Sequence, residues 1–170
     1  MRSPPSWSSI LIWLFIAASV VLVISLQPRL HAGPIVLVRH AEKVDSSKDS
    51  ALSPAGEARA ARLAEVLGSL GIRTIYTSEY KRTAQTAQPL AQRLGLTPTV
   101  IPALDQGGLL QRLPKAQRPA LIVGHGDTVP ALIKQLGVRE PVEIPGDDFG
   151  SIYVVVPHLT GPPTLLHLRY

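Results

Sequence analysis

The stretch "PIVLVRHAEK", residues 34–43, sets four apolar residues, Ile35, Val36, Leu37 and Val38, directly against Arg39 and His40. A short continuous apolar run is what a strand buried on both faces of a sheet requires. Ending it on a guanidinium and an imidazole has two readings. One is incidental surface polarity. The other is a site at the carboxyl end of a strand, where open α/β sheets hold their ligands.

Working outward, strand and helix patterns alternate. Ser53-Pro54 reads as a helix N-cap with proline in the first helical position. Ala58, Ala61, Leu63, Ala64, Val66 and Leu67 follow at helical spacing, with Gly68 or Gly71 as the stop. Residues 74–77 predict a short strand. Residues 81–94 predict a helix stopped by Gly95, in which Pro89 is expected to make a kink or mark the effective end. Residues 99–101 predict a third brief strand, and 120–123 a second buried one, followed by "GHGDTVPALIKQLG", a loop that opens a helix. Residues 152–156 and 165–168 complete the set. This alternation predicts an α/β fold, a three-layer α/β/α sandwich with a mostly parallel sheet.

The other end of the chain differs in kind. "ILIWLFIAASVVLVISL", residues 10–26, carries no charge and only Ser19 and Ser25 as polar members. Spanning a bilayer takes about 20 apolar residues, and Trp7, Ser8 and Ser9 extend the run to that range. An uncleaved signal anchor fits its length better than a cleaved signal peptide, whose apolar core is about 7–15 residues long. A core helix would need a polar face. Residues 1–32 are therefore expected to be one transmembrane or signal helix with a linker, and residues 33–170 a separate folded domain. Arg2 before the span places that domain outside the cytoplasm by the positive-inside tendency, although Arg29 stands on the other flank.

Composition excludes several functions. The 17 Lys and Arg against 12 Asp and Glu give a net charge of +5, but the basic residues are scattered and aromatics are 5%, so nucleic acid is not an expected partner. The absence of cysteine removes thiol nucleophiles, disulfides and thiolate metal sites.

Three places now coincide. Arg39 and His40 end the first strand, His125 follows the fourth strand and Gly124, and Arg82 opens the helix after "IYTSEY". A parallel sheet brings such strand ends to one edge. Arginine offers a rigid fork of donors matched to phosphate oxygens. A neutral imidazole can attack phosphorus and form a phosphohistidine, and a second histidine can donate to the equatorial oxygens, where charge spreads in the transition state. Singly, each residue reads as ordinary surface or turn polarity; the conjunction is the signal. His31, His158 and His167 stand apart from it and read as structural or solvated.

The sequence resembles the histidine phosphatase superfamily, which includes phosphoglycerate mutases and phosphohistidine phosphatases. "LVRHAEK" resembles its nucleophile segment, "LSPAGEARA" the loop and helix that follow, "YTSEYKRTAQTAQPLA" the second arginine segment and "LIVGHGDTVPALI" the second histidine segment. The resemblance implies His40 as the nucleophile, with Arg39, Arg82 and His125 binding the phosphoryl group of a small phosphorylated substrate or phosphoprotein. It implies no metal and no organic cofactor. Ser46, Ser47 and Ser78 are further candidate phosphate contacts. Many members carry a glutamate general acid in the loop after the third strand; here "IPALDQGGLLQRL" offers only Asp105. Glu42 and Asp127 are rivals for that role. The short span between Thr83 and Ala120 leaves little room for a lid, which argues for an open site and for hydrolysis over mutase transfer. A catalytically idle phosphate-binding domain is the competing expectation.

Overall fold

The structure, a computed structural model, describes residues 33–113 and 118–170. Residues 10–26, read above as an anchor or signal helix, lie outside the described residues. Among those described, no helix is long and apolar enough to cross a membrane.

The strands are β1 (Ile35–Arg39), β2 (Thr74–Thr77), β3 (Thr99–Val100), β4 (Ala120–Gly124), β5 (Ser151–Val156) and β6 (Thr164–Arg169). The helices are α1 (Pro54–Leu67), α2 (Lys81–Leu94), α3 (Gln106–Arg112) and α4 (Thr128–Gln135). They form one sheet in the order β3-β2-β4-β1-β5-β6. β1 runs parallel to β4, and β2 parallel to β4 and β3. β5 is antiparallel to both β1 and β6.

Alternate residues of the central strands feed two cores. Val36, Val38, Leu121, Val123 and Ile75 pack with Leu63 and Leu67 of α1 and Leu90 of α2. Ile35, Leu37, Ile122 and Tyr76 face the other way, toward Leu109 of α3 and Leu132 and Ile133 of α4. Both faces of β1 and β4 are thus covered, so these strands read as uninterrupted apolar runs.

The sheet is mixed rather than simply parallel, because β5 is reversed. α4 takes the chain away from the edge where β4 ends, and a parallel β5 would have to start from that far side; instead residues 137–150, which contain Pro141 and Pro145 and form no helix, follow it. The segment comes back to the edge where β1 ends, and β5 starts there.

Local chemistry explains the helix limits. The Ser53 side chain accepts from Gly56 N, with Pro54 in the first turn of α1. Gly95 ends α2 at φ +65°, a left-handed conformation that glycine takes at no steric cost. Pro89 does not end α2; Leu90 and Ala91 beyond it are buried in the α1 face of the sheet and hold the last turn.

Gly56 matters for the site. A Cβ there would collide with the Glu42 carbonyl oxygen and stand 3.0 Å from the Glu42 nitrogen. Backbone cannot yield as a flexible side chain does. Gly56→Ala is expected to destabilise the domain by about 1–3 kcal/mol, read as a lower urea midpoint. Turnover should also fall, because the displaced backbone lies two residues past His40.

Candidate active site

β1, β2 and β4 end at one edge of the sheet, with Arg39 in register with Gly124 and Thr77 with Val123. His40 and His125, the first residues past β1 and β4, therefore stand side by side. Their ring centroids are 5.4 Å apart, edge to face. Both are buried, at 4% and 8% exposure.

The turn carrying His40 is fixed at both ends. His40 N donates to Gly124 O at 2.9 Å, and Ala41 N donates to Thr86 Oγ1 at 2.9 Å. His40 Nδ1 lies 2.7 Å from Ala41 O. A carbonyl only accepts, so the proton sits on Nδ1 and Nε2 keeps its lone pair. The edge of the sheet thus carries an imidazole in its nucleophilic tautomer.

His125 is oriented by a chain of donors. Arg82 Nη2 is 3.3 Å from His125 Nδ1. Arginine only donates, so Nδ1 is bare and Nε2 carries the proton, which it gives to Ser78 Oγ at 3.0 Å. Ser78 then donates to Thr83 Oγ1 at 2.9 Å, and Thr83 to Tyr80 O at 2.8 Å. The second Arg82 arm, Nη1, is held by Lys48 O at 2.7 Å.

Each arginine lies on an aromatic face. Arg82 stacks on Tyr80 at 4.3 Å and Arg39 on Phe149 at 4.2 Å. Arg39 Nη1 is gripped by three carbonyls of one loop, Pro145 O at 2.8 Å, Gly146 O at 2.9 Å and Asp148 O at 3.3 Å. The Nε–H of both arginines is buried without a hydrogen-bond partner among the described residues. A buried unpaired guanidinium donor is costly, and two beside the same pair of imidazoles make a receptor for an anion.

The electrostatics keep both rings neutral. Burial, then the neighbouring His125, Arg82 and Arg39, lowers the His40 pKa to about 4, despite the bond to Ala41 O. Burial and the Arg82 guanidinium lower that of His125 to about 4, against the pull of Asp127 and Glu79. Unfolded histidine titrates near 6.5. Between those values the unfolded chain takes up protons that the folded chain refuses. Stability is therefore complete above pH ~6.5 and falls as the pH drops toward 4, by up to about 3 kcal/mol per histidine. Because the rings interact, the total should be less than the sum. Urea midpoints at several pH values between 7 and 4.5 check this; a flat midpoint would contradict it.

The three carboxylates considered for the acid are engaged elsewhere. Glu42 accepts from Arg59 Nε through both oxygens, at 2.8 and 2.9 Å. Burial pushes its carboxyl up, but the Arg59 bonds outweigh that and hold it below the usual carboxylate range. Asp105 caps α3 by accepting from Gly108 N at 2.8 Å, while lining a small cavity shared with Ser78 and His125. Asp127 caps α4 through Thr128 N at 2.9 Å. Among the described residues, the structure brings Arg39, His40, Arg82 and His125 together and bonds none of these carboxylates to them. Ser46 and Ser47 are exposed, and Ser78 serves His125. Among the described residues no cluster of three metal-ligating side chains occurs.

Sequence reasoning missed Phe149, Tyr80 and the carbonyls of residues 145–148. Only the aromatic beside the Arg82 helix had a local signal. Phe149 had none, because its place depends on the direction of β5.

The model of the histidine phosphatase superfamily (branch 1) matches residues 35–107. No curated protein matches the chain. Among solved structures, the protein histidine phosphatase SixA complexed with tungstate is 23% identical, with a TM-score of 0.66 over 80% of this chain and 96% of that one. Mycobacterial glucosyl-3-phosphoglycerate phosphatase with inorganic phosphate is 20% identical, with a TM-score of 0.65 over 81% of this chain and 96% of that one. A phosphoserine phosphatase from Entamoeba histolytica with 3-phosphoglyceric acid is 18% identical, with a TM-score of 0.63 over 81% and 97%. At these identities the solved structures show the fold. The family model, which covers fewer than half of the residues, and these folds show a similarity to the histidine phosphatase superfamily.

Proposed function

We propose that the chain is a phosphatase that hydrolyses phosphomonoesters or phosphoramidates through a phosphohistidine on His40. The observation that carries this reading is the pair of buried, unpartnered arginine Nε–H groups beside two buried imidazoles. A phosphoryl dianion seated there gives Arg39 and Arg82 the acceptors they lack. His40 Nε2 attacks phosphorus as the bond to the leaving group breaks. Water then attacks the phosphohistidine, the N–P bond breaks, and inorganic phosphate leaves with the water's oxygen. The two guanidinium groups face the charge that develops on the equatorial oxygens, while His125, whose one N–H goes to Ser78, acts by holding Arg82 rather than by donating to the phosphoryl group as the sequence led us to expect.

Leaving groups that need little protonation suit this site best, because no carboxylate among the described residues bonds to the histidine pair. Phosphoramidates and aryl phosphates are of that kind. Asp105 is the proposed acid for poorer leaving groups, since it shares a cavity wall with His125. Glu42, tied to Arg59, is a positioning group for the turn after the nucleophile.

The test is phosphate release by the full chain from phosphoramidate and from an aryl phosphomonoester, compared with an alkyl one. Turnover of the first two well above the third supports the reading. No turnover by folded protein that still binds phosphate would favour an idle binding domain. Transfer between positions of a sugar acid would make it a mutase. The charge-free segment 10–26 and Arg2 before it support action at a membrane, outside the cytoplasm. A compartment-dependent reporter fused after Tyr170 tests that, and a cytoplasmic signal would overturn it.

A further inference from the structure

The geometry points to Asp148 as the residue that positions Arg39 for the phosphoryl group, by tying the 145–149 loop to the start of β5. This rests on the reading of Arg39 as a phosphoryl ligand.

The side chain of Arg39 depends on one loop. All three acceptors on its Nη1 are main-chain carbonyls of residues 145, 146 and 148, and the ring beneath it is Phe149. That grip uses the Nη1 end. It leaves the Nε edge turned to the buried side without a protein partner. Where that edge points is therefore decided by where the loop holds Nη1.

The loop has no regular structure of its own, and residues 145–147 are exposed. What fixes it is the Asp148 carboxylate, whose side chain is only 9% exposed. One oxygen accepts from Ser151 Oγ at 2.6 Å and the other from Gly150 N at 3.1 Å. Arg169 of β6 reaches the same carboxylate at 3.2 and 3.4 Å. Ser151 has given its proton to Asp148, so it accepts from His167 Nε2 at 2.8 Å; that ring stacks on Tyr153 at 4.6 Å. Asp148 N closes the turn onto Pro145 O at 3.0 Å. Ser151 and Arg169 are partners on the first rung of the β5–β6 pair. The carboxylate therefore fastens the Arg39 cradle to the sheet itself. Asp148 touches neither histidine, so its action on the site runs through Arg39.

The test is a double-mutant cycle on the full chain, read as the affinity for inorganic phosphate by calorimetry. Arg39→Ala and Asp148→Ala are each expected to weaken binding at least about tenfold, the effect of losing a hydrogen bond to a charged group. Asp148→Ala in the Arg39→Ala background should weaken it no further, while still lowering the melting temperature. A merely structural role would lower affinity equally in both backgrounds, and that result overturns the proposal, as does wild-type affinity in Asp148→Ala. Should Asp148→Ala fail to fold, Ser151→Ala keeps the carboxylate and removes its shortest bond. It is expected to show a smaller loss, again absent without Arg39; an equal loss in both backgrounds, or none in either, overturns the proposal. Failure of the phosphatase reading looks different: the wild type would not bind phosphate, or Arg39→Ala would bind it unchanged.

Discussion

His40→Ala is expected to lower turnover of an aryl phosphomonoester by at least about 10⁴-fold, as loss of a nucleophile does when it acts with its partners as a unit. The wild type, mixed briefly with phosphoramidate and quenched at alkaline pH, should gain the mass of one phosphoryl group, and the variant none. The tautomer is what makes His40 ready to attack. The bond from Nδ1 to Ala41 O leaves Nε2 unprotonated, and burial beside His125, Arg82 and Arg39 keeps the ring neutral down to about pH 4. A ring so held needs no general base before it attacks. The acid limb of kcat/KM should accordingly lie well below the usual histidine value. Undiminished turnover in His40→Ala would mean direct attack by water. The alanine leaves a small void against Phe149 and His125, so its fold should survive and its inactivity can be read as chemistry.

Arg82→Ala should be the next most severe change, at about 10²–10³-fold in kcat/KM, the range for losing a donor aimed at transition-state charge. Arg82 acts in three ways. Its Nε is one of the two unpartnered donors, its Nη2 fixes the His125 tautomer, and its Nη1 holds the 44–51 loop through Lys48 O. Lysine cannot do all of these, since one ammonium lacks the fork and the flat face that stacks on Tyr80. Arg82→Lys should therefore recover little. Arg82 is the leading charge that lowers the His125 pKa, so removing it should move that ring's titration upward. An NMR titration of the histidine resonances checks the direction; no movement would contradict the placement of Arg82 against Nδ1.

Much of this architecture was legible in local chemistry. Ser53-Pro54 and Gly95 marked helix limits because a cap or a left-handed residue is a demand of a few neighbouring atoms. The buried runs at 35–38 and 120–123 named the central strands, because strands covered on both faces have no polar alternation. The meeting of Arg39, His40, Arg82 and His125 followed from parallel neighbours ending at one edge. What stayed hidden depended on distant chain. The reversal of β5 is set by how residues 137–150 travel, and Phe149 and Asp148 inherit their roles from it. The helix through Pro89 is held by burial of Leu90 and Ala91, which propensity alone does not register. Glu42 looked free to act as an acid because its partner, Arg59, lies on a helix 17 residues away.

The central position of β1 bears on the order in which the protein becomes competent. Its two neighbours in the sheet are β4 and β5, and the carbonyls that hold Arg39 lie 106 to 109 residues later in the chain. Such distant pairings form late and cooperatively. A nascent chain that has emerged only as far as α4 already contains both histidines and both arginines, yet lacks the cradle for Arg39. Phosphate affinity should thus arise in one step when the last hairpin docks, which makes a bound anion a reporter of complete folding and a brake on unfolding.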